Sequence, residues 1–151
     1  AGAYELALKF SRERNQFGRP ICEFQGLQWM LADMHIQIEA ARLLLRKAAA
    51  GKSENSGGNG SGFPDMLEAA QAKIFASEMA IKVTNDALQI FGSSGYSRNF
   101  PLERMARDAR MFTIGGGTAQ ILRTVVASAL LERKLPQTRD GYSKQKKHKS
   151  D

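Results

Sequence analysis

Glycines and amide side chains occur together where helices of this chain are expected to begin or end. Residues 115–120 contain three glycines followed by Thr118, Ala119 and Gln120. Glycine lets a ligand approach the backbone, and a hydroxyl and an amide can hydrogen-bond a phosphate or the edge of a nucleotide. A simple turn before a helix explains the same glycines. The segment is therefore a candidate ligand loop that needs support from the rest of the chain.

A second cluster combines charge, amides and an aromatic ring at a predicted helix end, and it comprises Arg14, Asn15, Gln16 and Phe17. An arginine offers a forked donor to a phosphate, a glutamine can bond a nucleotide edge, and a phenylalanine can cover a flat ring. The alternative is a charged helix terminus that complements its own dipole, with Phe17 in the core.

A third cluster lies at the end of another predicted helix and contains Gln89, Gly92, Ser93, Ser94 and Gly95. An amide, two glycines and two hydroxyls can expose backbone N–H groups to a bound anion. A helix C-cap with Gly92 in the left-handed region accounts for that glycine equally well.

Other reactive residues give no catalytic pattern. His35 has no second histidine or cysteine at ligand spacing, so we expect it on a helix surface, and we predict no metal site. Cys22 has no basic neighbour in the sequence that would activate it. Residues 107–110, Arg-Asp-Ala-Arg, are typical of a structural ion-pair network. We predict no catalytic residue within this chain.

Composition favours one helical domain. The chain has 151 residues, 42% of them hydrophobic and 25% charged, which suits a single core. Its net charge is +7, but residues 133–151 hold seven Lys and Arg against two Asp. Since the excess lies in the tail, we expect no nucleic-acid partner. No apolar run reaches membrane length and no secretory leader is recognisable, so we expect no membrane partner.

Apolar spacing of three and four predicts helices up to about residue 16 and over 23–50, 66–91, 101–111 and 118–133. Strand-like alternation is absent, and residues 52–62 form a predicted polar loop. These patterns predict an all-α, up-and-down four-helix bundle with a short extra helix. The bundle should occupy residues 1–135, and residues 136–151 should form a disordered basic tail.

In this order, the segments resemble the C-terminal helical domain of the acyl-CoA dehydrogenase family of flavoenzymes, over about residues 3–133. The motifs that carry the resemblance lie at residues 12–18 with Gln25, at 87–96, at 100–104, at 107–110 and at 117–121. Family members have an N-terminal helical domain, a middle β-domain and this C-terminal domain, and they assemble as dimers or tetramers around FAD.

The resemblance implies which residues contact FAD. Residues 14–17 and Gln25 would reach the pyrophosphate and adenosine of an FAD held mainly by a neighbouring subunit. Gln89, Gly92 and Ser93 would meet the dinucleotide across the dimer interface, whereas Thr118 and Gln120 would contact the FAD of their own subunit. We expect these helix ends to form one ledge on which a dinucleotide of another subunit or domain rests.

The resemblance also implies α,β-desaturation of an acyl-CoA, with electrons passed to an electron-transfer flavoprotein in the bacterial cytoplasm or the mitochondrial matrix. Many members place a glutamate before the Gly-Thr pair to remove the α-proton, but this sequence has Gly116 there. Some branches supply that base from an earlier helix. Ser93 is a second departure, because the family usually has a double glycine at that point.

Gly116 leaves two other functions open. One is a non-catalytic homologue that acts as an interaction module. The other is a related flavin reaction, such as reduction or β-elimination, that proceeds without the usual base. For a dehydrogenase, we expect the isolated chain to bind FAD weakly and to be inactive alone, since it offers only one wall of the site.

Overall fold

The computed structural model describes residues 1–51 and 65–135, and most of them are helical. The elements are α1 (Gly2–Glu13), β1 (Asn15–Gln16), β2 (Arg19–Pro20), a 3₁₀ turn (Ile21–Glu23), α2 (Gln25–Ala50), α3 (Met66–Phe91), α4 (Ser93–Tyr96), α5 (Leu102–Met111) and α6 (Ala119–Leu130). The predicted loop over residues 52–62 and the predicted tail over 136–151 lie outside the described residues. The all-α bundle is confirmed.

Helix α3 is the centre of the domain, because α1, α2, α5 and α6 all pack against it. Helices α2 and α3 run antiparallel: Lys47 near the end of α2 pairs with Glu68 near the start of α3, with 3.3 Å between nitrogen and oxygen. Further along, the pKa of Lys82 on α3 is raised because its ammonium donates to Asp86 and lies near the carboxylates of Asp86 and of Asp33 on α2. Exposed pairs of this kind contribute little to the stability of the domain.

The helix ends follow their capping residues. Asp65 begins α3, because its Oδ1 accepts two backbone N–H groups of the first turn at 2.9 and 3.1 Å. Gly92 ends α3 with a φ of 57°, a conformation that favours glycine. Thr118 begins α6, since its Oγ1 accepts the N–H of Ile121 at 3.2 Å. These boundaries agree with the predicted ones.

The core lies where α1, α2 and α3 meet, closed at one end by the start of α5. Met34 and Leu102 are fully buried. The cluster of buried apolar residues consists of Ala3, Ala7, Ile21, Leu31, Met34, Ile38, Val83, Ala87, Ile90, Phe91 and Leu102. On α2 the core residues recur at three and four, as the sequence pattern predicts.

A different stripe of α2 remains exposed. Trp29, Ile36 and Leu43 follow one another at intervals of seven residues and are 63%, 60% and 63% exposed. Residues seven apart lie on the same face of a helix, so these side chains form one apolar stripe. None of the described helices combines the length and hydropathy needed to cross a bilayer.

Two short elements differ from the prediction. Helix α1 ends at Glu13 rather than near residue 16, because Arg14 is extended and the chain turns into the β1–β2 hairpin. Between the predicted helices over 66–91 and 101–111, Ser93–Tyr96 forms one additional turn of helix. Both elements lie at the same end of the domain as the second and third candidate clusters.

Candidate functional site

The turn of the hairpin holds an exposed aromatic ring in a strained conformation. Strands β1 and β2 pair antiparallel, which leaves Phe17 and Gly18 as the turn. Both have positive φ, 52° and 78°, as a type I′ turn requires. Glycine adopts this conformation freely, but phenylalanine does so at a cost. The Phe17 side chain is 91% exposed, which excludes the alternative that it belongs to the core. An exposed, strained aromatic residue motivates a binding role.

Replacing Phe17 by asparagine tests this interpretation. Asn-Gly is the preferred type I′ dipeptide, so the free energy of unfolding of the variant should exceed that of the unaltered chain by up to about 1 kcal/mol. The ring of Phe17 makes only an edge contact with that of Phe24, with centroids 6.1 Å apart, so little packing is lost. Thermal and denaturant unfolding of the chain provides the measurement. Phe17→Leu is the control and should give no gain, because it keeps the strain. If Phe17→Asn destabilised the chain, the ring would have a structural role.

A groove of about 240 Å³ lies between the hairpin and the junction of α3 with α4. We call it the hairpin groove, and its lining residues are Phe10, Arg14, Gln16, Ile21, Ile90, Phe91, Gly92, Ser93 and Ser94. The rings of Phe10 and Phe91 stack beside it with centroids 4.0 Å apart and link α1 to α3. This aromatic contact holds the two walls of the groove together.

The polar groups of the hairpin groove are available to a ligand. Arg14 and Gln16 lie on the hairpin wall, and Gly92 and Ser93 lie on the opposite wall. Among the described residues, no carboxylate lies within 4.0 Å of the Arg14 guanidinium, and its side chain and that of Gln16 make no hydrogen bond. A guanidinium and an amide facing a helix junction suit a phosphate group. With Ser94, which also lines the groove, the structure thus brings together five of the residues that the sequence singled out.

Three further candidates do not line the hairpin groove. Asn15 donates from Nδ2 to the carbonyl of Glu13 at 3.3 Å, which stabilises the entrance to the hairpin. Gln25 is the exposed first residue of α2, and Gln89 is exposed in the last turn of α3. Both amides remain close in sequence to the residues that form the walls.

The remaining candidates belong to a loop between α5 and α6, residues 113–118, which we call the glycine loop. Gly116 and Gly117 have φ values of 67° and 87°, and a Cβ added at Gly116 would meet nothing within 4 Å. Thr118 is half-buried as the cap of α6, and Gln120 is exposed. Helix α6 starts only at Ala119, so the glycines form a loop rather than the first turn.

The glycine loop and the hairpin groove are separate. The glycine loop is tied to α3 at Lys73, and the hairpin groove ends at Phe91, which places them about 27 Å apart along the helix. The expectation of one common ledge is therefore wrong for a single copy of the chain. Thr118 and Gln120 therefore lie on a different surface from the candidates of the hairpin groove.

Sequence reasoning missed Lys73. Its ammonium donates to the carbonyl oxygens of Phe112 and Gly117 at 2.6 and 2.7 Å. The available signal was a lysine among the alanines of an apolar helix face. Of the residues 107–110, Arg107 pairs with Glu103 at 3.0 Å rather than with Asp108, which supports a structural role for this arginine.

The sequence pattern described as "Acyl-CoA dehydrogenase, C-terminal domain" matches residues 1–131, and the chain belongs to this family. It is 65% identical over 142 residues to the 3-sulfinopropanoyl-CoA desulfinase of Advenella mimigardefordensis, a match that covers 94% of this chain and 33% of that protein.

Solved structures show the same architecture. Butyryl-CoA dehydrogenase from Megasphaera elsdenii is 43% identical, with a TM-score of 0.77 over 85% of this chain and 32% of that one. The FAD complex of PigA is 27% identical, with a TM-score of 0.73 over the same shares. The chain thus spans about a third of the length of the curated relatives that it matches.

Proposed function

We propose that this domain supplies two separate contacts to FAD in an oligomeric flavoprotein. The hairpin groove would receive the diphosphate and adenosine of a partner subunit's FAD, and Arg14 would donate to the diphosphate. The glycine loop would contact the FAD of its own subunit through Thr118 and Gln120. At about 240 Å³ the groove is smaller than pockets that enclose a whole ligand of drug size. One domain would therefore provide a wall of the site and not the site itself.

For the reaction, we propose removal of the sulfur group of 3-sulfinopropanoyl-CoA. The observation that carries this proposal is Gly116, which has no side chain at the position where many family members have a proton-abstracting glutamate. If water supplies the hydrogen to C3 and the oxygen to sulfur, the products are propanoyl-CoA and sulfite, and no outside electron acceptor is needed. Breaking the C3–sulfur bond in this way requires no base at C2. The 65% identity to a desulfinase adds support.

The test uses the product of the complete reading frame that contains this chain, here called the full-length product. It is purified with FAD and incubated with 3-sulfinopropanoyl-CoA, without an electron acceptor. We expect sulfite and propanoyl-CoA in equal amounts, measured by sulfite detection and mass spectrometry. Bleaching of the flavin by butanoyl-CoA, with no sulfite from the sulfinate substrate, would contradict the proposal.

The second candidate is α,β-desaturation of an acyl-CoA, favoured by the 43% identity to a butyryl-CoA dehydrogenase. It would need a base from outside this chain and an acceptor such as an electron-transfer flavoprotein. The same assay separates the two reactions, because desaturation consumes acceptor and releases no sulfite. If the full-length product bound no FAD and catalysed neither reaction, an interaction module would remain.

We also propose that the protein forms homo-oligomers, since a site shared between subunits requires them. The apolar stripe of Trp29, Ile36 and Leu43 is a candidate for the contact between subunits, because exposed large apolar side chains along one helix face are typical of interaction surfaces. Sedimentation of the full-length product should show a dimer or tetramer. The variant Ile36→Lys should shift the distribution towards monomer.

A further inference from the structure

The glycine loop is held at both ends by one side chain of α3. Lys73 Nζ donates to the carbonyl of Phe112, just before the loop, and to that of Gly117, near its end, at 2.6 and 2.7 Å. No carboxylate of the described residues lies within 4.0 Å of this nitrogen. The ammonium is therefore committed to loop carbonyls, and hydrogen bonds from a charged donor are stronger than neutral ones.

The loop needs such a restraint. Two of its consecutive residues, Gly116 and Gly117, have positive φ, and glycine loses more conformational freedom on ordering than other residues. The loop's other bonds lie at its start and across its base: the N–H groups of Ile114 and Gly115 donate to the carbonyl of Met111, and the N–H of Ala119 donates to the carbonyl of Thr113 at 3.0 Å. Among the described residues, the bond from Lys73 is the one hydrogen bond that restrains Gly116 and Gly117.

The bond to Gly117 also orients a peptide group. In a trans peptide the C=O and the following N–H point in opposite directions. Because the Gly117 carbonyl points to Lys73, the N–H of Thr118 points away from α3. Within the described part of the chain, the N–H groups of Gly116, Gly117 and Thr118 bond to no acceptor. Lys73 thus turns the N–H of Thr118 away from α3, next to two further N–H groups, of Gly116 and Gly117, that are free to bind a ligand.

We propose that Lys73 is a positioning residue for FAD: it fixes the glycine loop so that the loop's unbonded N–H groups and the Thr118 side chain are set to receive the flavin. The inference rests on the proposed contact between this loop and FAD. Lys73 touches neither cofactor nor substrate in this role. Its effect passes through the backbone of Phe112 and Gly117.

The first experiment measures the restraint in the 151-residue chain without FAD. In Lys73→Met, exchange of the bonded amides of Ile114, Gly115 and Ala119, followed in peptides covering residues 112–120, should become faster by about tenfold or more, the factor expected for one lost bond from a charged donor. Lys73→Arg, which retains a charged donor, should restore part of the protection. Lys82→Met is the matched control on the same helix, because Lys82 bonds to Asp86 on the surface and should leave the loop unchanged.

The second experiment measures the dissociation constant of FAD and the flavin absorbance spectrum in the full-length product. Lys73→Met should weaken FAD binding by about tenfold and Lys73→Arg by less. The control variant Lys82→Met should have an unchanged melting temperature. Unchanged exchange in Lys73→Met would overturn the inference. Faster exchange with unchanged FAD affinity and spectrum would overturn it as well, since the restraint would then serve only the fold.

The two proposals fail differently. If the unaltered full-length product bound no FAD, the proposed function would be refuted, and so would the role of Lys73 in flavin binding. The exchange data would still decide whether Lys73 restrains the loop. If the unaltered protein binds FAD and the Lys73 variants bind it equally well, this inference alone is refuted.

Discussion

Replacing Gly95 by alanine should destabilise the chain by about 3 kcal/mol, at the upper end of the cost of overpacking a core. Gly95 is buried in α4, and a Cβ added there would lie 2.6 Å from the carbonyl oxygen of Leu88 and 2.8 Å from Cβ of Phe91. One of these neighbours is backbone and cannot rotate away. Helix α4 would have to move off α3, and Ser93 on the wall of the hairpin groove would move with it.

Chemical unfolding at fixed protein concentration measures this cost. Gly26→Ala is the matched control, because Gly26 lies in the first turn of α2 and a Cβ there would meet nothing within 4 Å. The control should be neutral or slightly stabilising. If Gly95→Ala were as stable as Gly26→Ala, the close packing of α4 on α3 would not exist in solution.

Replacing Arg14 by alanine should weaken FAD binding to the full-length product by about ten- to a hundredfold. The guanidinium has no partner among the described residues, so its removal leaves no buried group unsatisfied and should leave the melting temperature unchanged. The bonds to the diphosphate would be lost in full. Titration of the apoprotein with FAD, followed by flavin fluorescence, gives the two dissociation constants.

Arg12→Ala is the matched control for Arg14→Ala. Arg12 is an exposed arginine in the last turn of α1 that does not line the hairpin groove. The Arg12→Ala variant removes the same charge from the same helix end, so it separates a general electrostatic effect from a specific contact. Equal losses of affinity in both variants would argue against a diphosphate bound by Arg14.

The sequence could predict the long helices because their apolar residues recur over many turns and their ends carry recognisable caps. Helices α2 and α3 begin and end within about two residues of the predicted positions. The hairpin could not be predicted in this way, since strands of two residues show no alternation. Its turn, Phe17-Gly18, also lacks the asparagine that marks type I′ turns.

For the candidate site, residue types in short segments predicted which groups matter but not how they assemble. Arg14 and Gln16 meet Gly92 and Ser93 because Phe10 stacks on Phe91, a contact between helices that are far apart in the sequence. The distance to the glycine loop follows from the length of α3, which local motifs do not report. Lys73 was missed for the same reason: its partners lie 39 and 44 residues away.

The most direct test of two FAD contacts on different subunits is subunit mixing. Arg14→Ala and the double variant Thr118→Ala, Gln120→Ala are prepared separately in the full-length product, and each should bind FAD poorly. After the two are dissociated together and reassembled, each hybrid dimer would have one intact site, and random pairing would restore tight FAD binding in about a quarter of the sites. If hybrids form and no tight binding returns, the hairpin groove and the glycine loop do not serve FAD from different subunits.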